Sequence, residues 1–116
     1  MSFYNQNKLS DKSQFDVVFA NRKTINDRYF RIFWRSNGLE SPRIGISIGK
    51  KNVKKAVSRN KLRRAIKESF RRNYNLLPAI DMIFVIRKEA SLDSYTCFTD
   101  ELNKKWQQLI LDKEKY

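Results

Sequence analysis

The spacing of hydrophobic residues along the chain predicts four strands. Ile44, Ile46 and Ile48 alternate with glycine and serine, which is the period of a strand with one buried face. Residues 82–86 are uniformly apolar, as is typical of an interior strand covered on both sides. The aromatic and β-branched residues 29–34 predict another strand that ends in a turn, and residues 22–25 predict a weaker one. We expect the strands at 29–34 and 44–48 to pair as a hairpin.

Two of three predicted helices lie near the ends of the chain. After the N-cap candidate Asp11, Phe15, Val18 and Phe19 recur at helical intervals, so we expect a short helix over residues 11–21. A last helix begins after a cap at Asp93 or Ser94. Its apolar residues, spaced by three or four positions or adjacent, are Phe98, Leu102, Trp106, Leu109 and Ile110.

The middle helix is amphipathic in an unusual way, because its polar face is cationic. Its apolar face consists of Leu62, Ala65, Ile66, Ser69 and Phe70. Its opposite face consists of Asn60, Arg63, Arg64, Lys67 and Arg71. Asn73, Asn75 and Pro78 mark the end of this helix. One face is therefore expected to pack, and the other to present cations to solvent.

The elements follow in the order αβββαβα, which predicts an α+β fold built as a two-layer sandwich. A length of 116 residues corresponds to one domain, residues 1–116, which can bury one core without a metal or a disulfide. We expect residues 1–8 to form a flexible N-terminus.

The charge of the chain indicates a polyanionic partner. Lysine and arginine number 25 against 12 aspartates and glutamates, a formal charge of +13. Such a charge favours RNA, DNA or an acidic membrane surface as partner. Eleven of the basic residues lie between 50 and 72, with Glu68 as the one acid in that interval. They are Lys50, Lys51, Lys54, Lys55, Arg59, Lys61, Arg63, Arg64, Lys67, Arg71 and Arg72.

The composition excludes several classes of catalytic site. There is no histidine, and Cys97 is the only cysteine, so imidazole-based triads, multi-thiolate zinc sites and intrachain disulfides are ruled out. We expect Cys97 to be an inert, buried or half-buried thiol in a reducing compartment. No apolar run reaches the length of a membrane span and the first residues do not read as a signal peptide, so we expect a cytoplasmic protein.

Residues 43–73, which read RIGISIGKKNVKKAVSRNKLRRAIKESFRRN, resemble the protein subunit of bacterial ribonuclease P, and the forms Lys50-Lys51-Asn52-Val53 and Leu77-Pro78-Ala79 are most similar to its proteobacterial branch. The hallmark of that family is a basic helix with an Arg-Asn-Arg core, which here reads Arg59-Asn60-Lys61-Leu62-Arg63-Arg64. Further matching segments are Phe15 and Phe19, Pro42-Arg43-Ile44-Gly45, Lys50-Lys51-Asn52-Val53, Leu77-Pro78-Ala79 and Trp106. Lys61 replaces the third core residue, so the charge is kept but the planar fork of an arginine is lost.

The resemblance implies a particular sheet topology. It implies a four-stranded mixed sheet of the ribosomal protein S5 domain 2-like kind, with a left-handed βαβ crossover from residues 44–48 through the basic helix to residues 82–86. General rules favour a right-handed crossover in about 98% of cases. On this point the expectation comes from the family alone.

The resemblance also implies a function in tRNA processing. In the family, a catalytic RNA with magnesium ions removes the 5′ leader of precursor tRNA, and the protein assists as an accessory subunit of the endoribonuclease without catalytic residues or a bound metal of its own. The residues expected to bind RNA are Lys50, Lys51, Lys54, Lys55, Arg59, Asn60, Lys61, Arg63, Arg64, Lys67 and Arg71. The leader would bind in a cleft at Phe15, Phe19 and Phe33, where stacking on aromatic rings is tolerant of base sequence.

The three phenylalanines have a simpler interpretation as core residues, which their spacing alone favours. We therefore expect at least one of the rings to be partly exposed if the cleft exists. Complete burial of all three would rule it out.

Other functions remain open from the residues themselves. A ribosomal or other structured-RNA-binding protein with no part in cleavage would share the charge, and so would a DNA-binding module. A protein-only nuclease would need magnesium at the carboxylates Asp81, Asp93, Asp100 and Glu101, but these are predicted to begin a strand or to lie near the start of the last helix. We expect no membrane partner and no obligate protein partner.

Overall fold

The computed structural model describes residues 7–116, and it contains the predicted helices and strands in the predicted order. The elements are helix α1 (Lys12–Ala20), strands β1 (Lys23–Asn26), β2 (Phe30–Ser36) and β3 (Arg43–Ser47), helix α2 (Ala56–Asn73), strand β4 (Ile80–Ile86) and helix α3 (Tyr95–Leu111). Short 3₁₀ turns follow α2 at Tyr74–Leu76 and α3 at Lys113–Lys115.

The four strands form one mixed sheet in the order β1-β2-β4-β3. β4 is antiparallel to β2 and parallel to β3, so it occupies an interior position. The expected hairpin between β2 and β3 is therefore wrong, because β4 lies between them. The physical reason is that β4 is apolar on both faces and is best buried between two neighbours, whereas β3 can stand nearer the edge. The weak strand predicted near residues 22–25 is confirmed as β1, which pairs with β2.

Each face of the sheet is covered by different helices. Phe30, Ile32 and Trp34 of β2 point into the main core, which they share with apolar residues of α2 and α3. The alternate residues of the sheet face the other way, where Ile83 packs with Val18 of α1. The packing of α2 and α3 on the sheet forms the predicted sandwich, and α1 adds a short cover on the opposite face.

A buried hydrogen bond joins α2 to α3. The indole Nε1–H of Trp106, which is fully buried, donates to Oγ of Ser69 at 2.8 Å, and this hydroxyl donates in turn to the carbonyl of Ile66. The serine on the otherwise apolar face of α2 is thereby explained, because a buried indole N–H needs an acceptor.

The beginning of the described chain is tied to the edge of the sheet. Leu9 N donates to the carbonyl of Ile44, and Ile44 N donates to the carbonyl of Asn7, both at 2.8 Å. Of the residues 1–8 that were expected to be flexible, 1–6 lie outside the described residues, whereas Asn7 and Lys8 are held along β3.

The two terminal helices begin differently. Asp11, a predicted N-cap candidate, caps α1, and the structure adds a capping box with Gln14. Ser94 occupies the N-cap position of α3, but its hydroxyl bonds to Ser91 rather than to the first turn of the helix.

Within residues 7–116, no helix combines the length and the apolar character that crossing a membrane requires.

Replacing Ser69 with alanine is expected to destabilise the fold, because it leaves the Trp106 N–H buried without an acceptor. The free energy of unfolding should fall by about 1 to 3 kcal/mol relative to a control serine on the same helix. Ser58→Ala is that control, since it makes the same change on the same helix and removes no hydrogen bond that the structure shows. Denaturant unfolding of both variants measures the difference, and equal stabilities would contradict the assignment.

Candidate nucleic-acid interface

Helix α2 separates an apolar side from a cationic side. Leu62, Ile66 and Phe70 are buried in the main core, while Arg64 and Arg71 lie on the exposed side of the helix. This confirms the predicted amphipathic character. Of the eleven candidate RNA-binding residues, the exposed ones are Lys50, Lys51, Lys54, Lys55, Asn60, Lys61, Arg64 and Arg71, and the half-buried ones are Arg59, Arg63 and Lys67.

Arg59 fixes the basic loop that precedes the helix. Its Nη1 donates to the carbonyls of Val53 and Lys54, at 2.9 and 2.8 Å. Asn52 ties the same loop to the sheet by donating its side-chain amide to the carbonyl of Ile86. Val53 is buried, whereas the loop lysines are exposed and none of them forms an ion pair within residues 7–116. The loop lysines are thus presented from an anchored backbone.

One flank of α2 crowds three cations together. Burial lowers the pKa of the Lys67 ammonium, and the nearby charges of Arg63 and Lys8 lower it further. Arg63 donates from Nη1 to Oδ1 of Asn60 at 3.1 Å, so the asparagine of the core motif orients an arginine. The sequence analysis did not include Lys8 among the candidate residues. Residues 7–9, which lie along β3, are too few to show the alternating pattern of a strand. The crowding of like charges indicates a surface suited to an anion.

The other flank of α2 faces helix α3. The Lys61 ammonium lies 4.5 Å from the ring centroid of Tyr95, a cation–π contact. Arg71 pairs with Glu68 at 3.0 Å, but both side chains are about half exposed, so the pair is weak and screened. The cations therefore extend around the exposed half of the helix, from Lys67 on one flank to Lys61 on the other.

Three phenylalanine rings cluster between α1 and the sheet. The Phe15 and Phe19 centroids are 6.2 Å apart, and the Phe19 and Phe33 centroids are 4.8 Å apart, with edge-to-face geometry in both pairs. All three rings are half-buried, which confirms the prediction that at least one is partly exposed. Their packing against Val18 and Ile83 accounts for the buried part, and the remaining surface faces outward.

A glycine in β3 lets the first ring lie against the sheet. A Cβ atom built on Gly45 would stand 2.7 Å from Cζ of Phe15 and 3.3 Å from Cβ of Leu9. No side chain fits there without a shift, so Gly45 determines how deeply the Phe15 ring sits.

Two arginines that the sequence analysis missed lie beside Phe33. Arg31 Nε and Arg87 Nη2 both donate to Oδ1 of Asn26, at 2.7 and 3.5 Å, and the Arg31 guanidinium centre lies 6.0 Å from the Phe33 centroid. Arg87 Nε is buried and lacks a hydrogen-bond partner, and neither arginine forms an ion pair within residues 7–116. The strand period places Arg31 on the face of Phe33, and that signal could have found it.

These arginines and Phe33 border a hollow of about 230 Å³. Its lining residues are Arg31, Phe33, Asn52, Val85, Ile86 and Arg87. Aromatic surface and uncompensated cations are thus adjacent, which is the combination that binds single-stranded nucleic acid.

The carboxylates considered for a protein-only nuclease do not form a metal site in the described part of the chain. Asp81 is engaged by Arg43, and Glu101 pairs with Lys104. Among residues 7–116, no three acidic or cysteine side chains come together as a group that could hold a metal ion.

Cys97 is exposed, which corrects the expectation of a buried or half-buried thiol, because it lies on the outer face of α3.

Comparison with known proteins gives a consistent result. Residues 3–110 match the family model described as Ribonuclease P. The chain is 35% identical over 107 residues to the ribonuclease P protein component of Aliivibrio fischeri, covering 92% of each chain. It is 34% identical over 110 residues to that of Haemophilus influenzae, covering 95% of this chain and 92% of the relative. The ribonuclease P protein structure from Thermotoga maritima superposes with a TM-score of 0.74 at 31% identity, covering 89% of this chain and 94% of the other.

Replacing Gly45 with alanine is expected to displace the Phe15 ring while leaving the sheet intact, because the new methyl group first meets the outer carbon of that ring. Nuclear Overhauser contacts between the Phe15 ring and strand β3 should be lost. Gly49→Ala is the matched control, since nothing lies within 4 Å of a Cβ atom at that position. Unchanged ring contacts in Gly45→Ala would contradict the described packing.

Proposed function

Because the chain belongs to the ribonuclease P protein family, we propose that it holds the RNA subunit of this ribonucleoprotein with helix α2 and the 5′ leader of precursor tRNA with the aromatic cleft. As a ribonuclease P protein component, it acts in the maturation of tRNA 5′ ends. The family places it within an endoribonuclease. The contacts of α2 and of the cleft support a division of the two RNA-binding tasks.

The contact with the RNA subunit is assigned to α2 and its anchored loop. Cations there are exposed on a helix whose opposite side is buried, so their backbone positions are held by the core. An RNA that neutralises these charges releases counterions, which makes affinity fall steeply as salt is added. This rigid display of cations is the single observation that carries the proposal. Lys61 contributes a point charge in place of a bidentate fork.

The contact with the leader is assigned to the half-buried rings and to the arginines beside them. Stacking on Phe19 or Phe33 would tolerate any base, and the guanidiniums of Arg31 and Arg87 would take backbone phosphates. A substrate without a leader cannot make these contacts. The cleft therefore favours precursor over mature tRNA.

The hydrolysis itself is assigned to the RNA subunit and its magnesium ions. The protein contributes position and charge neutralisation between two RNAs that would otherwise repel each other. In this proposal it has no metal of its own, no membrane partner and no obligate protein partner, and it acts in the cytoplasm.

Loss of two cations from α2 is expected to weaken assembly with the RNA subunit. In the double variant Arg63→Ala/Arg64→Ala, the slope of log affinity against log salt concentration should become shallower by about 1.4 to 1.8, since each phosphate contact contributes about 0.7 to 0.9. Lys113→Ala/Lys115→Ala removes the same charge at the C-terminus and serves as control. Filter-binding titrations at several salt concentrations measure the slope, and equal slopes for both double variants would contradict the assignment to α2.

Loss of the central cleft ring is expected to affect the substrate rather than assembly. In Phe19→Ala, the preference of the holoenzyme for precursor over mature tRNA should fall by about 1 to 3 kcal/mol, the contribution of one stacked base. Leu111→Ala, which truncates an exposed apolar side chain on α3, should leave that preference unchanged. If Phe19→Ala weakens RNA-subunit assembly as strongly as it weakens precursor binding, the division of tasks is wrong.

A further inference from the structure

We propose that Arg35 and Arg43 form a second phosphate-binding site, on the side of α1 opposite the aromatic cleft. The site lies where β2 ends and where β3 and β4 begin, around the buried carboxylate of Asp81. The proposal rests on the function proposed above, because it takes an RNA backbone as the source of the phosphate.

The carboxylate of Asp81 is fully satisfied without Arg35. Its side chain is 3% exposed and accepts from Arg43 Nε and Nη2, each at 2.8 Å, and from Asn37 Nδ2 at 3.0 Å. This fork-to-fork contact raises the pKa of the Arg43 guanidinium. One arginine therefore already neutralises this buried acid.

Arg35 is consequently a cation in excess. Its Nε lies 3.7 Å from Oδ2 of Asp81, beyond hydrogen-bond distance, and this nitrogen is buried and without a hydrogen-bond partner. The side chain of Arg35 makes no other hydrogen bond or ion pair within residues 7–116. A buried donor that lacks an acceptor is costly, so the arrangement indicates that an acceptor from outside the chain completes it.

A hollow beside these groups has room for such an acceptor. It measures about 230 Å³ and is lined by Ser13, Gln14, Val17, Arg35, Arg43 and Asp81. Asp11 is the other acid that acts on Arg43, but its carboxylate is occupied by the Ser13 hydroxyl and the Gln14 backbone N–H. A tetrahedral oxyanion is the ligand that a planar guanidinium with free donors recognises best.

The position of the hollow relates it to RNA rather than to a small metabolite. Helix α1 lies between it and the cleft, with Val17 and Ser13 on one side of the helix and Phe15 and Phe19 on the other. A strand that follows the cleft or a loop of the RNA subunit could each bring a phosphate to Arg35. Both sources supply a backbone phosphate. They differ in whether loss of the site weakens binding of the RNA subunit or binding of precursor tRNA.

The variant Arg35→Gln tests the site and identifies the source. We expect roughly tenfold weaker binding at low salt, with a salt slope shallower by about 0.7 to 0.9, in one of two measurements. A change in affinity for the RNA subunit assigns the phosphate to that subunit, and a change in affinity of the holoenzyme for precursor but not mature tRNA assigns it to the leader. Lys113→Gln, which removes one exposed charge elsewhere, is the control. If both affinities match those of the control variant, the proposal is overturned.

The double variant Arg63→Ala/Arg64→Ala tests the proposed function independently of Arg35. The phosphate site can therefore be disproved while the proposed function still holds. A measurement on the unmodified protein guards against misfolding of the variant. The Nε–H signal of Arg35 in a nitrogen-15 spectrum should shift and saturate when inorganic phosphate is added, whereas that of the exposed Arg28 should not. Equal, non-saturating shifts of both signals would overturn the proposal.

Discussion

The burial of strand β4 on both faces is the constraint on which the rest of the structure depends. An apolar strand of this kind needs neighbours on each edge and cover on each side, so β2 and β3 flank it, α2 and α3 cover one face, and α1 covers the other. Because α2 must give its apolar side to this core, its cations face outward. Because α1 is only nine residues long, its cover is incomplete and leaves the phenylalanine rings half exposed.

The two faces of the sheet thereby acquire different chemistry. Beside the main core, cations are fixed on a helix and on a loop that Arg59 anchors, and they suit a folded RNA whose phosphates are abundant and whose sequence need not be read. On the α1 face, Phe33 lies between Arg31 and Arg35 along β2 and packs against Phe19 of α1, an arrangement that suits an unpaired strand. The α2 cations and the rings of the α1 face are thus two surfaces of the same protein, and Asn52, which ties the basic loop to β4 and lines the hollow beside Phe33, is common to both.

Most of the fold could be predicted from the sequence, because the period of each segment is a local property. The apolar run of β4 and the two sides of α2 appeared as expected, and β3 formed a strand, but its two faces do not alternate in burial because Phe15 covers Gly45. The pairing of β2 with β4 could not, because strand order depends on contacts between distant segments. The same holds for the cation–π contact of Lys61 with Tyr95 and for the shared acceptor of Arg31 and Arg87, which arise only after the elements have packed.

The most direct test of the account is to add the purified protein to a bacterial ribonuclease P RNA at low magnesium concentration and to measure cleavage of precursor tRNA. The account predicts that the RNA alone is slow, that the protein alone is inactive, and that the two together cleave efficiently, with the advantage declining as salt is added. Cleavage by the protein alone, or an RNA whose activity the protein does not change, would contradict it.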